Sequence, residues 1–137
     1  MQELIGKKVL SIAVAPGEDE LYIQTEHEVY SFKTYSDCCS ETWFADLLGV
    51  DALLGGTVKT VECRNLPTVV DGRCRQDEDC FYGVSFETDK GRADLIYRNS
   101  SNGYYGGNVG KGQLCDAIPS EANPITGDWT ALSATKT

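Results

Sequence analysis

Six short segments with the apolar, β-branched or alternating character of strands recur along the chain, and turn signals punctuate them. Residues 8–15 are rich in Val, Leu and Ile. Residues 21–25 follow the turn Pro16-Gly17-Glu18-Asp19-Glu20. Residues 29–34 alternate after the short connection Glu26-His27-Glu28. Together these predict a meander of three antiparallel strands. Residues 57–63 alternate as a fourth, residues 81–88 form a fifth, and the turn Asp89-Lys90-Gly91 leads into a sixth over residues 92–98.

One stretch reads differently. Trp43, Phe44, Leu47 and Leu48 recur at three- and four-residue spacing, the pattern of an apolar helix face. Ser40 suits an N-cap, Glu41 suits the first turn, and Gly49 can end the helix in the left-handed conformation. That face most simply packs on the sheet, which makes Trp43 a core residue. Residues 50–54 offer one more helical turn, stopped by Gly55-Gly56. The expected fold class is therefore α+β: an antiparallel sheet of about six strands with one main helix packed on it. At 137 residues the chain is one domain. It is expected to span residues 1–118, with residues 119–137 as an extended or partly ordered tail. A short ordered piece is expected at residues 114–118. Trp129 stands out in the tail and predicts docking onto the body or onto a neighbouring subunit.

Two segments lack a strand pattern. Residues 64–80 contain Pro67, Gly72, Arg64, Arg73 and Arg75. A 17-residue stretch without periodicity is often functional or mobile. The other segment, Arg98-Asn99-Ser100-Ser101-Asn102-Gly103-Tyr104-Tyr105-Gly106-Gly107, follows the sixth strand. It supplies a guanidinium fork for phosphate or carboxylate, amides, hydroxyls, phenol rings for stacking, and glycines that let backbone N–H groups approach a ligand. These are parts for holding a small phosphorylated molecule. Asn-Gly and Gly-Gly are equally favoured in a plain hairpin loop, and both readings stand.

The net charge of -9 argues against duplex DNA or RNA and against an anionic membrane surface. It leaves room for a small anion in a local positive pocket. The five arginines (Arg64, Arg73, Arg75, Arg92 and Arg98) all fall in the middle of the chain. No secretory signal and no apolar run of membrane-spanning length are visible, so a cytoplasmic location is expected. The six cysteines (Cys38, Cys39, Cys63, Cys74, Cys80 and Cys115) are compatible with three disulfides, free thiols or a metal. Their spacings fit no short structural-zinc pair. The single histidine, His27, sits in a polar turn. No P-loop, no dinucleotide fingerprint and no recognisable nucleophile–base set appears. The reading is a binding protein, not an enzyme, with no cofactor and no metal.

Asp37-Cys38-Cys39-Ser40-Glu41-Thr42-Trp43-Phe44 and the Arg98–Gly107 stretch, with Leu4-Ile5-Gly6-Lys7-Lys8-Val9 and Leu54-Gly55-Gly56-Thr57-Val58, resemble a family of small phage and bacterial proteins. The likeness covers roughly residues 4–107, and the family includes the phage Thoeris anti-defence 1 proteins. The resemblance implies a cytoplasmic sponge that sequesters a cyclic nucleotide immune signal, a cyclic ADP-ribose isomer or a cyclic oligonucleotide, without cleaving it. It also implies a homo-oligomer, a dimer or dimer-based hexamer, with pockets shared between subunits. Arg98, Asn99, Ser101, Asn102, Tyr104 and Tyr105 match the motif and are the implied ligand contacts. Arg73 and Arg75 lie outside the motif and are added as candidates on their charge. The alternative is an acidic protein–protein inhibitor or decoy acting on a host protein.

Overall fold

The computed structural model describes residues 1–36, 41–65, 78–101 and 107–130. The sequence-predicted meander is present. Strands β1 (Val9–Val14), β2 (Glu20–Thr25) and β3 (Val29–Ser36) pair antiparallel in order. Next come β4 (Glu41–Leu48), the single helical turn α1 (Val50–Leu53), β5 (Val58–Asn65), β6 (Glu78–Thr88) and β7 (Gly91–Ser101). Four short strands complete the described chain: β8 (Gly107–Val109), β9 (Gln113–Cys115), β10 (Asn123–Pro124) and β11 (Trp129–Thr130). They form a six-stranded sheet, β10-β1-β2-β3-β8 with β9 also on β3, and a five-stranded sheet, β11-β4-β7-β6-β5.

Both sheets turn one face to a shared apolar core. Ile12, Val14, Leu21, Ile23, Tyr30 and Phe32 come from the first sheet; Phe44, Leu47, Val84, Phe86, Leu95 and Tyr97 come from the second. The arrangement is a β-sandwich. Phe32, Phe44 and Phe86 are fully enclosed, and each such burial stabilises the fold by about 1.5–3 kcal/mol.

The expected α+β fold with six strands and one main helix is thus overturned. The supposed helix of residues 41–48 is strand β4, an eight-residue strand that pairs with β7 from Glu41↔Ser100 to Leu48↔Asp94. The cause is a β-bulge. The register shifts between Phe44 and Asp46, so Ala45 is an extra residue on β4. A strand normally alternates faces with period two. One inserted residue breaks that alternation and puts Phe44 and Leu47, three apart, on the same core face. The spacing of three is what imitated a helix. Trp43 falls on the opposite face, in a separate small cluster with Ala45.

Gly49 does adopt the left-handed conformation, at φ 73°, but as the link from β4 into α1 and not as the end of a helix. A Cβ there would collide with the Arg92 carbonyl oxygen. The expected turn over residues 50–54 is α1. The expected loop at Arg98 begins later than predicted, because β7 carries the strand through Ser101. Trp129 docks on the body, where β11 pairs with β4 through Trp129↔Leu47 and Thr130↔Asp46. No helix among the described residues is long and apolar enough to cross a membrane.

Candidate functional site

The register of the strands gathers several chain ends at one end of the sandwich. Glu41 at the start of β4 pairs with Ser100 near the end of β7. Glu78 at the start of β6 pairs with Ser101. Asn65 at the end of β5 pairs with Tyr82, and Ser36 at the end of β3 pairs with Gly107 at the start of β8. The chain therefore leaves β3, β5 and β7, and enters β4, β6 and β8, at this same end. Arg73, Arg75, Asn102, Tyr104 and Tyr105 belong to the connections that leave from it and lie outside the described residues.

Of the predicted ligand contacts, Arg98, Asn99 and Ser101 lie on β7. Successive residues of a strand face opposite ways, and Arg98 and Asn99 obey this. Arg98 sits on the outer face, partly buried, with its guanidinium 5.4 Å from the centre of the Trp43 ring. The two residues are direct register partners. This cation–π pair holds the positive charge at a fixed place on the sheet. Asn99 points inward and is 0% exposed. Its Nδ2 donates to Thr42 Oγ1 at 2.9 Å, across to its own register partner. One pocket cannot take both side chains from this strand; Asn99 serves the seam between β4 and β7. Ser101 ends β7.

Sequence reasoning treated Trp43 as part of the core. It is buried, as expected, but in a second, small core cluster with Ala45, Ile96 and Trp129 on the other face of the second sheet, apart from the shared core. It is only 6% exposed, yet its indole Nε1 has no hydrogen-bond partner. Leaving a buried donor unmade costs about 1–3 kcal/mol. Such groups are rare in folded proteins and call for an explanation. Only an alternating pattern through a recognised bulge could have marked Trp43 as outward-facing in the sequence.

On the inner face near the same end, the Tyr82 and Tyr97 rings stack with centroids 5.0 Å apart. Burial, with smaller contributions from Cys63 and Tyr82, pushes the Tyr97 phenol up to about 12. Arg92 does not join a basic pocket: its guanidinium donates to Ser85 Oγ at 3.1 Å and to Asp94 Oδ1 at 3.2 Å, on strands β6 and β7.

Two open polar clefts flank the β2–β3 turn. One, of about 150 Å³, is lined by Gly6, Lys7, Lys8 and residues 25–28. The other, of about 200 Å³, is lined by residues 24–29, Cys115 and Asp116. Both are smaller than the roughly 300–1,000 Å³ usual for a drug-sized ligand. His27 and Cys115 share the second cleft, and the Cys115 thiol is directed at the Gln113 carbonyl at 3.7 Å. Cys63 and Cys115 are free thiols, whereas Cys38, Cys39 and Cys74 lie outside the described residues. Among the described residues no group of three or more His, Cys, Asp or Glu is placed to hold a metal.

An uncharacterised protein of Acanthamoeba polyphaga mimivirus is 33% identical over 75 residues, which cover 53% of this chain and 59% of the viral protein. The chain thus matches less than two thirds of that relative's length. No solved structure matches it. Strands β1 to β8, which make up most of both sheets, and the Trp43–Arg98 pair fall within residues 2–110, which match the domain of unknown function DUF7448, and the chain belongs to that family.

Proposed function

We propose that this protein captures a small phosphorylated nucleotide and holds it unaltered, acting as an anti-defence sponge for a cyclic ADP-ribose isomer or a cyclic oligonucleotide. The observation that carries this reading is the convergence of chain ends. The β5–β6 connection, with Arg73 and Arg75, and the β7–β8 connection, with Asn102, Tyr104 and Tyr105, leave the sandwich at one end. Arg98 stands three residues from that end of β7, fixed over Trp43. A guanidinium so held can meet a phosphate with two parallel bonds. Tyrosine rings on a neighbouring connection can stack on a base for about 1–3 kcal/mol each. Sequestration needs only ground-state binding, which these groups supply without a nucleophile or base. A homo-oligomer in the bacterial cytoplasm, with pockets shared between subunits, completes the reading.

The test is to incubate the purified protein with cyclic ADP-ribose isomers and cyclic di- and trinucleotides, remove free ligand, heat to release what is bound, and run chromatography. Intact ligand is expected. Altered ligand would mean turnover, and no binding across the panel would overturn the proposal. Arg98→Ala is expected to abolish capture. The cation–π pair it removes is worth about 0.5–1 kcal/mol at such a site. In a chain of this size the loss of that pair shifts Tm by about 2–4 °C. A large drop in Tm with retained binding would make Arg98 structural. Should host-protein capture survive Arg98→Ala while no nucleotide binds, the acidic decoy reading takes its place.

A further inference from the structure

Apolar burial alone does not choose the register of β4 on β7. Trp43 and Phe44 are adjacent, large, aromatic and both buried. In the observed pairing Phe44 lies opposite Tyr97 on the core face, and Trp43 lies opposite Arg98 on the other. Without the bulge at Ala45, the pairing of Asp46 with Ile96 would run straight on. Ala45 would then meet Tyr97, Phe44 would meet Arg98, and Trp43 would meet Asn99. A slip of one residue turns each side chain to the opposite face. The slipped strand would still bury one large aromatic on each face, with Trp43 in the core. It would also spare the residue that a bulge leaves out of the ladder. Main-chain ties do not choose either. The Phe44 N–H donates to the Glu18 carbonyl at 2.8 Å, and the Thr42 carbonyl accepts Thr34 Oγ1 at 3.0 Å. Any residue brought to those places offers the same main-chain groups.

What distinguishes the two pairings is Asn99. It is 0% exposed, and its Nδ2 donates to Thr42 Oγ1 at 2.9 Å, with Thr42 itself buried. In the slipped pairing Asn99 would face Trp43, and Thr42 would carry its hydroxyl to the other face. Withdrawing that acceptor from a buried amide shifts the balance between the registers by roughly five- to a hundredfold. We propose that the Asn99–Thr42 bond is a register lock: it selects the bulged pairing, and so sets Trp43 and not Phe44 opposite Arg98. A single buried polar side chain fixes register in coiled coils by the same logic. Asn99 is then a positioning residue and not a ligand contact. Only its bearing on capture rests on the nucleotide reading above.

Thr42→Val keeps the shape and deletes the hydroxyl, Thr42→Ser keeps the hydroxyl, and Thr42→Asn with Asn99→Thr exchanges the partners. Nuclear Overhauser contacts read the register: Trp43 to Arg98 and Ile96 when bulged, Trp43 to Asn99 and Ala45 to Tyr97 when slipped. Thr42→Val is expected to show the slipped contacts in a fraction of molecules. Thr42→Ser and the exchanged pair are expected to keep the bulged set. A Thr42→Val protein with a lowered Tm and bulged contacts alone overturns the lock and leaves the bond an ordinary structural one. Where Thr42→Val does not fold, the exchanged pair decides: bulged contacts regained support the lock, and failure to regain them overturns it. Calorimetry with cyclic ADP-ribose on the same variants is expected to show affinity falling with the bulged fraction. Slipped contacts with undiminished affinity support the lock and overturn the part given to Arg98 in capture. Wild-type protein that binds no cyclic ADP-ribose counts against the nucleotide reading, while the contacts still decide the lock.

Discussion

Lys7, Glu28 and Tyr30 form a small charged knot where the N-terminal segment meets the β2–β3 turn. Lys7 Nζ lies 2.8 Å from Glu28 Oε1, and the Tyr30 hydroxyl donates to the same oxygen at 3.0 Å. The bond from Lys7 holds the Glu28 carboxyl below its ordinary value of 4.5, with the Tyr30 bond adding to it. The same bond raises Lys7 above 10.5. A carboxyl depressed in the folded state contributes stability that is present above its unfolded pKa and is lost as pH falls through the folded one. The raised lysine contributes below 10.5 and loses it as pH rises further. Glu28→Gln is therefore expected to lower Tm slightly at neutral pH. The gap to wild type should close as pH drops below about 4, and also in high salt, since both groups are partly open to solvent. A gap that persists at low pH would mean Glu28 acts through packing and not through charge.

At the level of elements, the sequence made legible the strands that keep a β-branched or alternating run, and hid the one whose central bulge spaces its apolar residues like a helix. Residues 8–15, 21–25, 29–34, 57–63, 81–88 and 92–98 each read as strands and each overlies one; β1 and β5 also carry register shifts, at Val9/Ser11 and Val58/Thr60, but these fall at the start of each strand and leave the rest of the run intact. Strand β4 did not read so, because Ala45 resets its phase and places Phe44 and Leu47 on one face. The long pairing of β4 with β7 then overrides the local helical pattern, since each strand residue finds its partner in a neighbour more than forty residues away. The site was half legible for a related reason. Arg98 could be named from its chemistry, but which face it takes, and that Asn99 takes the other, depends on where β7 ends. The bulge makes a sharp prediction. Deleting Ala45 restores strict alternation, and either Phe44 or Leu47 must then leave the core. The loss should match removal of a buried phenylalanine, about 3–5 kcal/mol. Ala45→Gly keeps the residue count and should cost only about 1 kcal/mol. Urea unfolding of the two variants separates them; equal losses would mean the bulge is incidental to the core.

Over the whole molecule, the segment from Asn123 to Thr130 reaches both sheets, although it lies beyond the residues that match the family. It adds β10 to β1, buries Ile125 to 3% exposure in the shared core, and adds β11 to β4. Between them Asp128 Oδ1 accepts the N–H groups of Gly49 and Val50, tying the segment to the link into α1. Two-residue strands contribute few backbone bonds, so the attachment depends on these side chains. Ordering each residue costs about 1–2 kcal/mol in backbone entropy. A segment held at so few points is therefore expected to open by itself before the sandwich unfolds. The amide of Ile125, bonded to the Ile12 carbonyl at 2.8 Å, reports that opening. In native-state hydrogen exchange it should exchange at a lower free energy than the amides of Ile23 or Leu95. Ile125→Ala removes the main apolar anchor, at a cost of about 2–5 kcal/mol, and should release the segment. Its mark would be Trp129 fluorescence shifted to the red at temperatures where strand β-structure is intact by circular dichroism. If instead the Ile125 amide exchanges only with global unfolding, and Trp129 emission moves together with the loss of β-structure, then the segment is a cooperative part of the sandwich, and the packing of Trp129 against Trp43 is as permanent as the sheets themselves.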